Sequence, residues 1–244
     1  MAAINTERVQ FEEALAHLLS SYSSSTSTVS ISDTRLSLIN YTKAKLDELI
    51  PEGEGIQFSM EDDINISDPL NLLVNAVIDE AAKRILLTAP LHVLDPVKSE
   101  AVAVADADDD KTGYIPLADN FLRLVSLKMK DWQREVTEVI TPQDKRYKLQ
   151  TNKFTRGGLA KPVIVFSRRT IDGEAQRVLE YFSVDSAHDI DWFYYIQDTY
   201  AENLQSNLMD SLTWMCASIV LQITERPDLA KLALDQVSIS YQNF

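Results

Sequence analysis

Four carboxylates in a short run are the first chemistry this chain offers. Asp106-Ala107-Asp108-Asp109-Asp110-Lys111-Thr112-Gly113 sets aspartates at alternate positions, a spacing that can converge on one hard cation such as calcium. The details oppose that reading. Lys111 stands where a calcium loop needs its sharp-turn glycine, and Leu117 where it needs the closing bidentate glutamate, so a solvated acidic turn is expected. His188-Asp189-Ile190-Asp191 could supply an acid–base or ligand pair, since imidazole titrates near neutrality and a carboxylate can orient it. The other histidines, His17 and His92, are not spaced as HExxH, and no nucleophile signature accompanies them; a polar turn entering a helix is expected. Glu61-Asp62-Asp63 reads as a solvent-facing loop. No catalytic, cofactor or metal site is expected.

Arg156-Gly157-Gly158 lies in no GxxxxGK[ST] or GxGxxG frame, so a tight loop or hairpin tip is expected, with glycines free to turn the chain through positive φ. Arg168 and Arg169, with Lys145, Arg146 and Lys148, form the locally basic region of an otherwise acidic chain; they could meet the acidic surface of a neighbouring copy, although for any one of them a plain solvated face is the better reading. Trp192-Phe193-Tyr194-Tyr195 and Trp214 could stack on bases, but their neighbours are Asp189, Asp191 and Asp198. Packing is the better reading.

Helices and strands must position these groups. Phe11, Ala14, Leu15 and Leu18 recur at helical spacing before a hydroxyl-rich run, residues 20–28. Asp33 or Thr34 can cap a helix with Leu36, Ile39, Leu46 and Leu49 on its apolar face, closed by Pro51. A polar turn around Glu52-Gly53-Glu54-Gly55 follows. Ser67-Asp68-Pro69 opens the next helix, with Leu70, Leu73, Val77, Ala81 and Ile85 in one stripe and Pro90 beyond its end. Between 91 and 190 the pattern turns strand-like, with strands expected at 121–130, 135–140, 161–167 and 177–184. In the first, Phe121, Val125, Leu127 and Met129 should face one way, and Leu122, Leu124, Ser126 and Lys128 the other.

Ala201, Leu204, Leu208, Leu212, Met215, Ile219 and Ile223 predict one long helix of roughly 35 Å carrying Cys216 on its buried stripe. Pro227 begins a shorter helix bearing Leu229, Leu232 and Ala233. Val237-Ser238-Ile239-Ser240-Tyr241 alternates like an edge strand that could pair with another subunit. The fold class is α+β: a helical core, with the long C-terminal helix packed on N-terminal helices, and an inserted antiparallel β module. The divisions are 1–95 helical, 96–190 β-rich and 191–244 helices and tail, in one composite domain.

Composition narrows the classes. The chain has 244 residues, 45% of them hydrophobic, enough for one substantial core. One cysteine excludes a disulfide framework or a multi-cysteine zinc site. No apolar run reaches the roughly 20 residues a bilayer requires, and the first residues lack a secretion-signal pattern. A cytoplasmic protein, or a particle assembled in a cytoplasm, is expected. With 37 acidic against 23 basic residues the net charge is −14, which disfavours gripping a phosphate backbone but suits a wall past which DNA slides.

The ordered set Ile115-Pro116-Leu117, Phe121-Leu122-Arg123-Leu124, Asp131-Trp132, Gln150, Asn152, Gly157-Gly158 and Lys161-Pro162-Val163, followed by the long helix, resembles a family of tailed-bacteriophage head–tail adaptor proteins. It is most similar to those of crAss-like phages of gut Bacteroidales, over roughly residues 70–240. The resemblance implies a non-enzymatic virion protein without cofactors, assembled in the bacterial host. Its partners would be further copies in a ring, usually twelvefold, the portal protein above, neighbouring tail or ring proteins, and genomic DNA passing without specific binding. The candidate subunit and portal contacts are then Arg156, Lys161, Arg168 and Arg169, the aromatic Trp192 and Tyr195, and the tail residues Val237, Ile239 and Tyr241. A soluble acidic module that binds a basic protein or a cation is the alternative.

Overall fold

The computed structural model describes residues 32–50, 68–171, 173–185 and 188–241. The expected first helix, the hydroxyl-rich run, the turn at 52–55 and Glu61-Asp62-Asp63 lie outside them. The fold is α+β, and the chain divides into two compact units, one formed by residues up to 89 together with 199–244 and the other by 90–198.

The helical unit holds α1 (Asp33–Leu49), α2 (Pro69–Thr88), α3 (Met209–Ile223) and α4 (Pro227–Ser240). The cap of α1 is Ser32, one residue before the expected Asp33, its Oγ accepting the Arg35 N–H at 3.3 Å. Asp68 caps α2 and Pro69 fills its first turn, as the sequence predicts. The α2 stripe is buried, and Val74, Ile78, Ala82 and Leu86 are buried beside it, so this helix is covered over a wide arc. Arg35 of α1 clamps α2, its Nη2 3.0 Å from Asp79 Oδ2 and its Nε 2.5 Å from Asn75 Oδ1. At the centre, α3 is buried on every side from Ser211 to Leu221 and packs against α1, α2 and α4. Burial pushes the Cys216 thiol up to about 12, which leaves it an inert packing group.

Two sequence expectations fail in this unit. The helix predicted over 201–223 begins only at Met209, so it spans roughly 22 Å rather than 35 Å. Ala201–Asn203 and Ser206–Leu208 are separate 3-10 turns, joined by extended Leu204 and Gln205. Ala201, Leu204 and Leu208 are all buried, but spacing by three or four residues also fits successive tight turns. Asn203, Ser206 and Asn207, whose side chains compete for backbone groups, favour the turns. The second failure is the tail: Val237–Ser240 continues α4 instead of forming an edge strand. Val237 and Ser240 extend the buried steps of Ala230 and Ala233, and Ser240 Oγ lies 2.6 Å from Ser211 Oγ.

The link between α3 and α4 holds Glu225 at φ +58°, the sole non-glycine residue with positive φ among the described residues. Arg226 N–H reaches Leu221 O at 2.9 Å and Glu225 N–H reaches Gln222 O at 3.3 Å, the bond pair of a Schellman ending. A left-handed glutamate costs about 1 kcal/mol relative to glycine. Glu225→Gly is therefore expected to raise stability by about 1 kcal/mol in urea unfolding, with an unchanged m-value.

The β unit contains two sheets. One has the order β1 (Val97–Lys98), β8 (Ile190–Gln197), β4 (Phe121–Met129). The other runs β2 (Val104–Ala105), β3 (Gly113–Pro116), β7 (Glu174–Tyr181), β6 (Ile164–Ile171), β5 (Val139–Ile140). All pairings are antiparallel except β5 with β6, so the expected all-antiparallel module has one parallel edge. Of the expected strand 135–140, only Val139–Ile140 and a lone bridge from Val136 to Leu127 pair. Residues 190–197, placed by the sequence reading at the entry to the long helix, form β8.

Both sheets contribute to one core. Ile115, Ile164, Leu179 and Tyr181 of one meet Phe121, Leu124, Leu127 and Phe193 of the other. Strict alternation along β4 would separate Leu124 from Phe121 and Leu127. Register shifts against β8 between Phe121 and Arg123, and again between Leu124 and Ser126, reset the facing and bring all three into that core.

Candidate functional site

Several of the residues quoted for the resemblance lie in or next to one surface segment, residues 141–163. Trp132, buried in the core, donates its indole N–H to Ser183 O at 2.6 Å, while Asp131 Oδ2 accepts the Asp185 N–H at 3.0 Å. Gln133 N–H bonds Leu159 O at 3.0 Å, tying the β4 exit to the end of the loop. Within the loop, buried Gln150 accepts the Gly157 N–H at 2.8 Å through Oε1 and donates Nε2–H to Arg146 O at 2.9 Å. Asn152 accepts the Phe154 N–H on its side chain and the Thr155 and Arg156 N–H groups on its carbonyl. Gly157 serves by close approach rather than by positive φ. A Cβ there would lie 2.7 Å from Lys161 O and 2.9 Å from Val163 Cγ2.

Arginines fasten this loop and the β6–β7 hairpin to the acidic turn. Arg156, its side chain 12% exposed, places Nη1 2.6 Å from Asp109 Oδ2. Arg169 bridges Asp106 at 2.5 Å and Glu180 at 2.8 Å, and its guanidinium lies 4.9 Å from the Tyr114 ring centre. Thr112 donates its hydroxyl to Asp106 at 2.8 Å. The calcium geometry considered for the acidic turn thus has two carboxylates committed to arginines. Among the described residues no group of three or more His, Cys, Asp and Glu side chains is arranged to hold a metal.

The hydrogen bond from Arg156, then that from the Lys111 N–H, hold the Asp109 carboxyl below its ordinary value. A depressed carboxylate contributes stability that is complete above its unfolded value, near pH 4, and is lost as pH falls through the lower folded value. Asp109→Asn is expected to cost about 1 kcal/mol at neutral pH, near the low end because Asp109 is 40% exposed. That difference from the parent should shrink below about pH 4, as read from urea midpoints across a pH series.

His188 and Asp189 do not pair with each other. His188 Nδ1 lies 2.5 Å from the Tyr181 hydroxyl and its Nε2 2.9 Å from Asp110 O. The carbonyl requires N–H at Nε2, and the Tyr181 hydroxyl also lies 3.3 Å from Val104 O. Asp189 instead pairs with Lys130 at 2.9 Å.

The remaining expected contact residues are divided between the two units. Arg169 and Arg156 are occupied as described, and Arg146 pairs with Asp144 and Glu138. Lys161 and Arg168 are exposed. Trp192 is half-buried on β8, with Lys128 Nζ 4.5 Å from its ring centre, and Tyr195 is buried against Phe121 at 5.4 Å. Val237 is buried in the helical unit, Tyr241 half-buried and Ile239 exposed.

What the sequence reading passed over is the loop's own tip. Phe154 is 85% exposed and Leu149 50%, with Lys153 Nζ 5.2 Å from the Phe154 ring centre. Their signal was available: two large apolar residues, without periodicity, in an otherwise polar and basic segment.

Among the described residues, no helix is long and apolar enough to cross a membrane. No family model and no curated protein matches this chain.

Proposed function

We propose that this chain is a head–tail adaptor of a tailed bacteriophage, a structural virion protein that repeats around an axis beneath the portal and continues the DNA channel towards the tail. One observation carries the reading. Of the residues that carry the resemblance to such adaptors, Gln150, Asn152 and Gly157 hold a surface loop in a fixed shape, and Asp131 and Trp132 fasten the β4 exit to residues 183–185. An exposed loop braced in this way suits a protein whose working parts are contact surfaces. The net charge of −14 fits a lumen that must release passing DNA. Strand addition by the tail has no place in this account, because Val237–Ser240 is helical.

The test is a native mass measurement of the full chain alone and mixed with a portal ring. A complex with one copy of this chain per portal subunit is expected. A chain that stays monomeric and leaves the portal mass unchanged would overturn the reading.

A further inference from the structure

The loop tip is the basic pole of an acidic chain. Residues 141–163 contain six basic residues and one acidic, although the whole chain carries −14. Lys145, Lys148 and Lys153 are exposed, and among the described residues none of them forms an ion pair. Lys153 Nζ lies 5.2 Å from the Phe154 ring centre, and Lys145 and Lys148 precede Leu149 in the same segment; its backbone is fixed by Gln150, Asn152 and the Arg156–Asp109 pair, so the knob is held ready before any partner arrives.

A complementary surface lies on the other unit. On α4, Asp228, Leu232, Asp235 and Ile239 step by four, three and four residues and share one exposed face. Leu232 is 51% exposed and Ile239 48%, and the two aspartates have no ion-pair partner among the described residues. This stripe alternates acid with aliphatic, and the loop carries exposed apolar side chains in a lysine-rich segment. Both remain exposed in the single chain, so neither is covered by its own copy.

We infer that the loop of one copy docks on α4 of the next, seating Phe154 and Leu149 between Leu232 and Ile239 while Lys148 and Lys153 meet Asp228 and Asp235. The partner is a second copy of this chain, and the inference rests on the ring reading above. Because the two surfaces differ, the contact is heterologous, and head-to-tail contacts of this kind propagate into a ring when the rotation closes. A buried aromatic anchor with complementary charges around it is the pattern that dominates interface energy and sets register.

The test uses the full chain and two exposed-site variants, Phe154→Glu and Leu232→Glu, with circular dichroism to confirm unaltered folding. The parent should assemble in sedimentation velocity, and each variant alone should associate at least about 30-fold more weakly. Mixing the two should give a dimer that grows no further, because one intact loop then meets one intact α4 face. Lys153→Asp should weaken assembly, and Asp235→Lys added to it should restore it. A Phe154→Cys/Leu232→Cys chain should oxidise to a ladder of linked copies, with buried Cys216 silent.

If the parent and both variants assemble alike, the docking is wrong and the ring reading stands. A parent that remains monomeric overturns the docking, and one that also leaves the mass of a portal ring unchanged overturns the ring reading as well. Loss of single-stranded DNA binding in Phe154→Glu with assembly unchanged would assign the knob to nucleic acid and also overturn the docking.

Discussion

Gly113→Ala is expected to destabilise the β unit by about 3 kcal/mol, lowering its melting temperature by roughly 10 °C. Gly113 opens β3 and sits between Ala105 of β2 and Tyr181 of β7. A methyl group there would overlap both Val104 O and the Tyr181 hydroxyl and lie 2.6 Å from Tyr181 Cζ. Neither neighbour can yield easily. Val104 O is backbone in a paired strand, and Tyr181 is 1% exposed, with its hydroxyl bonded to His188. Tyr181→Phe in the Gly113→Ala background should recover part of the loss by removing the clashing oxygen. Differential scanning calorimetry of the three proteins measures both effects.

Arg169→Ala should cost about 3 kcal/mol, for an electrostatic reason. Glu180 is almost fully buried and keeps only the Ser167 hydroxyl at 2.8 Å once Arg169 is gone, while Asp106 keeps Thr112. Two carboxylates that shared one guanidinium would then face each other without it. Breaking a buried pair by removing one partner is strongly destabilising, and partial exposure of Arg169 reduces the effect from its upper range. Removing both charges is a different matter. Arg169→Met with Glu180→Gln should recover more than half of the loss in urea unfolding, since no uncompensated buried charge remains. If the single and double variants lost equal stability, packing of the Arg169 stem on Tyr114 would be the larger contribution.

These two sites show what one sequence can and cannot disclose. Helix α2 was legible because Asp68-Pro69 and the Leu70–Ile85 stripe agree, and β4 because its apolar run is bounded by turns. The short β1, β2 and β3 have too few residues to show a period. Strand β8 was absorbed into the following helix, although an aromatic and β-branched run after Asp189 is itself a strand signal. Asp172-Gly173, between two strands paired from Ile164 to Ile171, was an overlooked hairpin signal. The tail alternated over five residues, too few to outweigh the helical steps from Ala230 to Val237.

The site was legible only as a set of residues. Arg156 meets Asp109 across 47 positions and Arg169 meets Asp106 across 63, distances that depend on sheet register rather than on local pattern. The basic segment could be read from composition. Which of its charges were already taken by Asp109, Asp144 and Glu138 could not.

Single-particle imaging of the full chain under assembling conditions tests the central claim most directly. The account expects closed rings in which every copy makes the same two unlike contacts, the loop 141–163 on one side and α4 on the other. A solitary globule closed around a small molecule, or a two-fold dimer with like surfaces in contact, would contradict it.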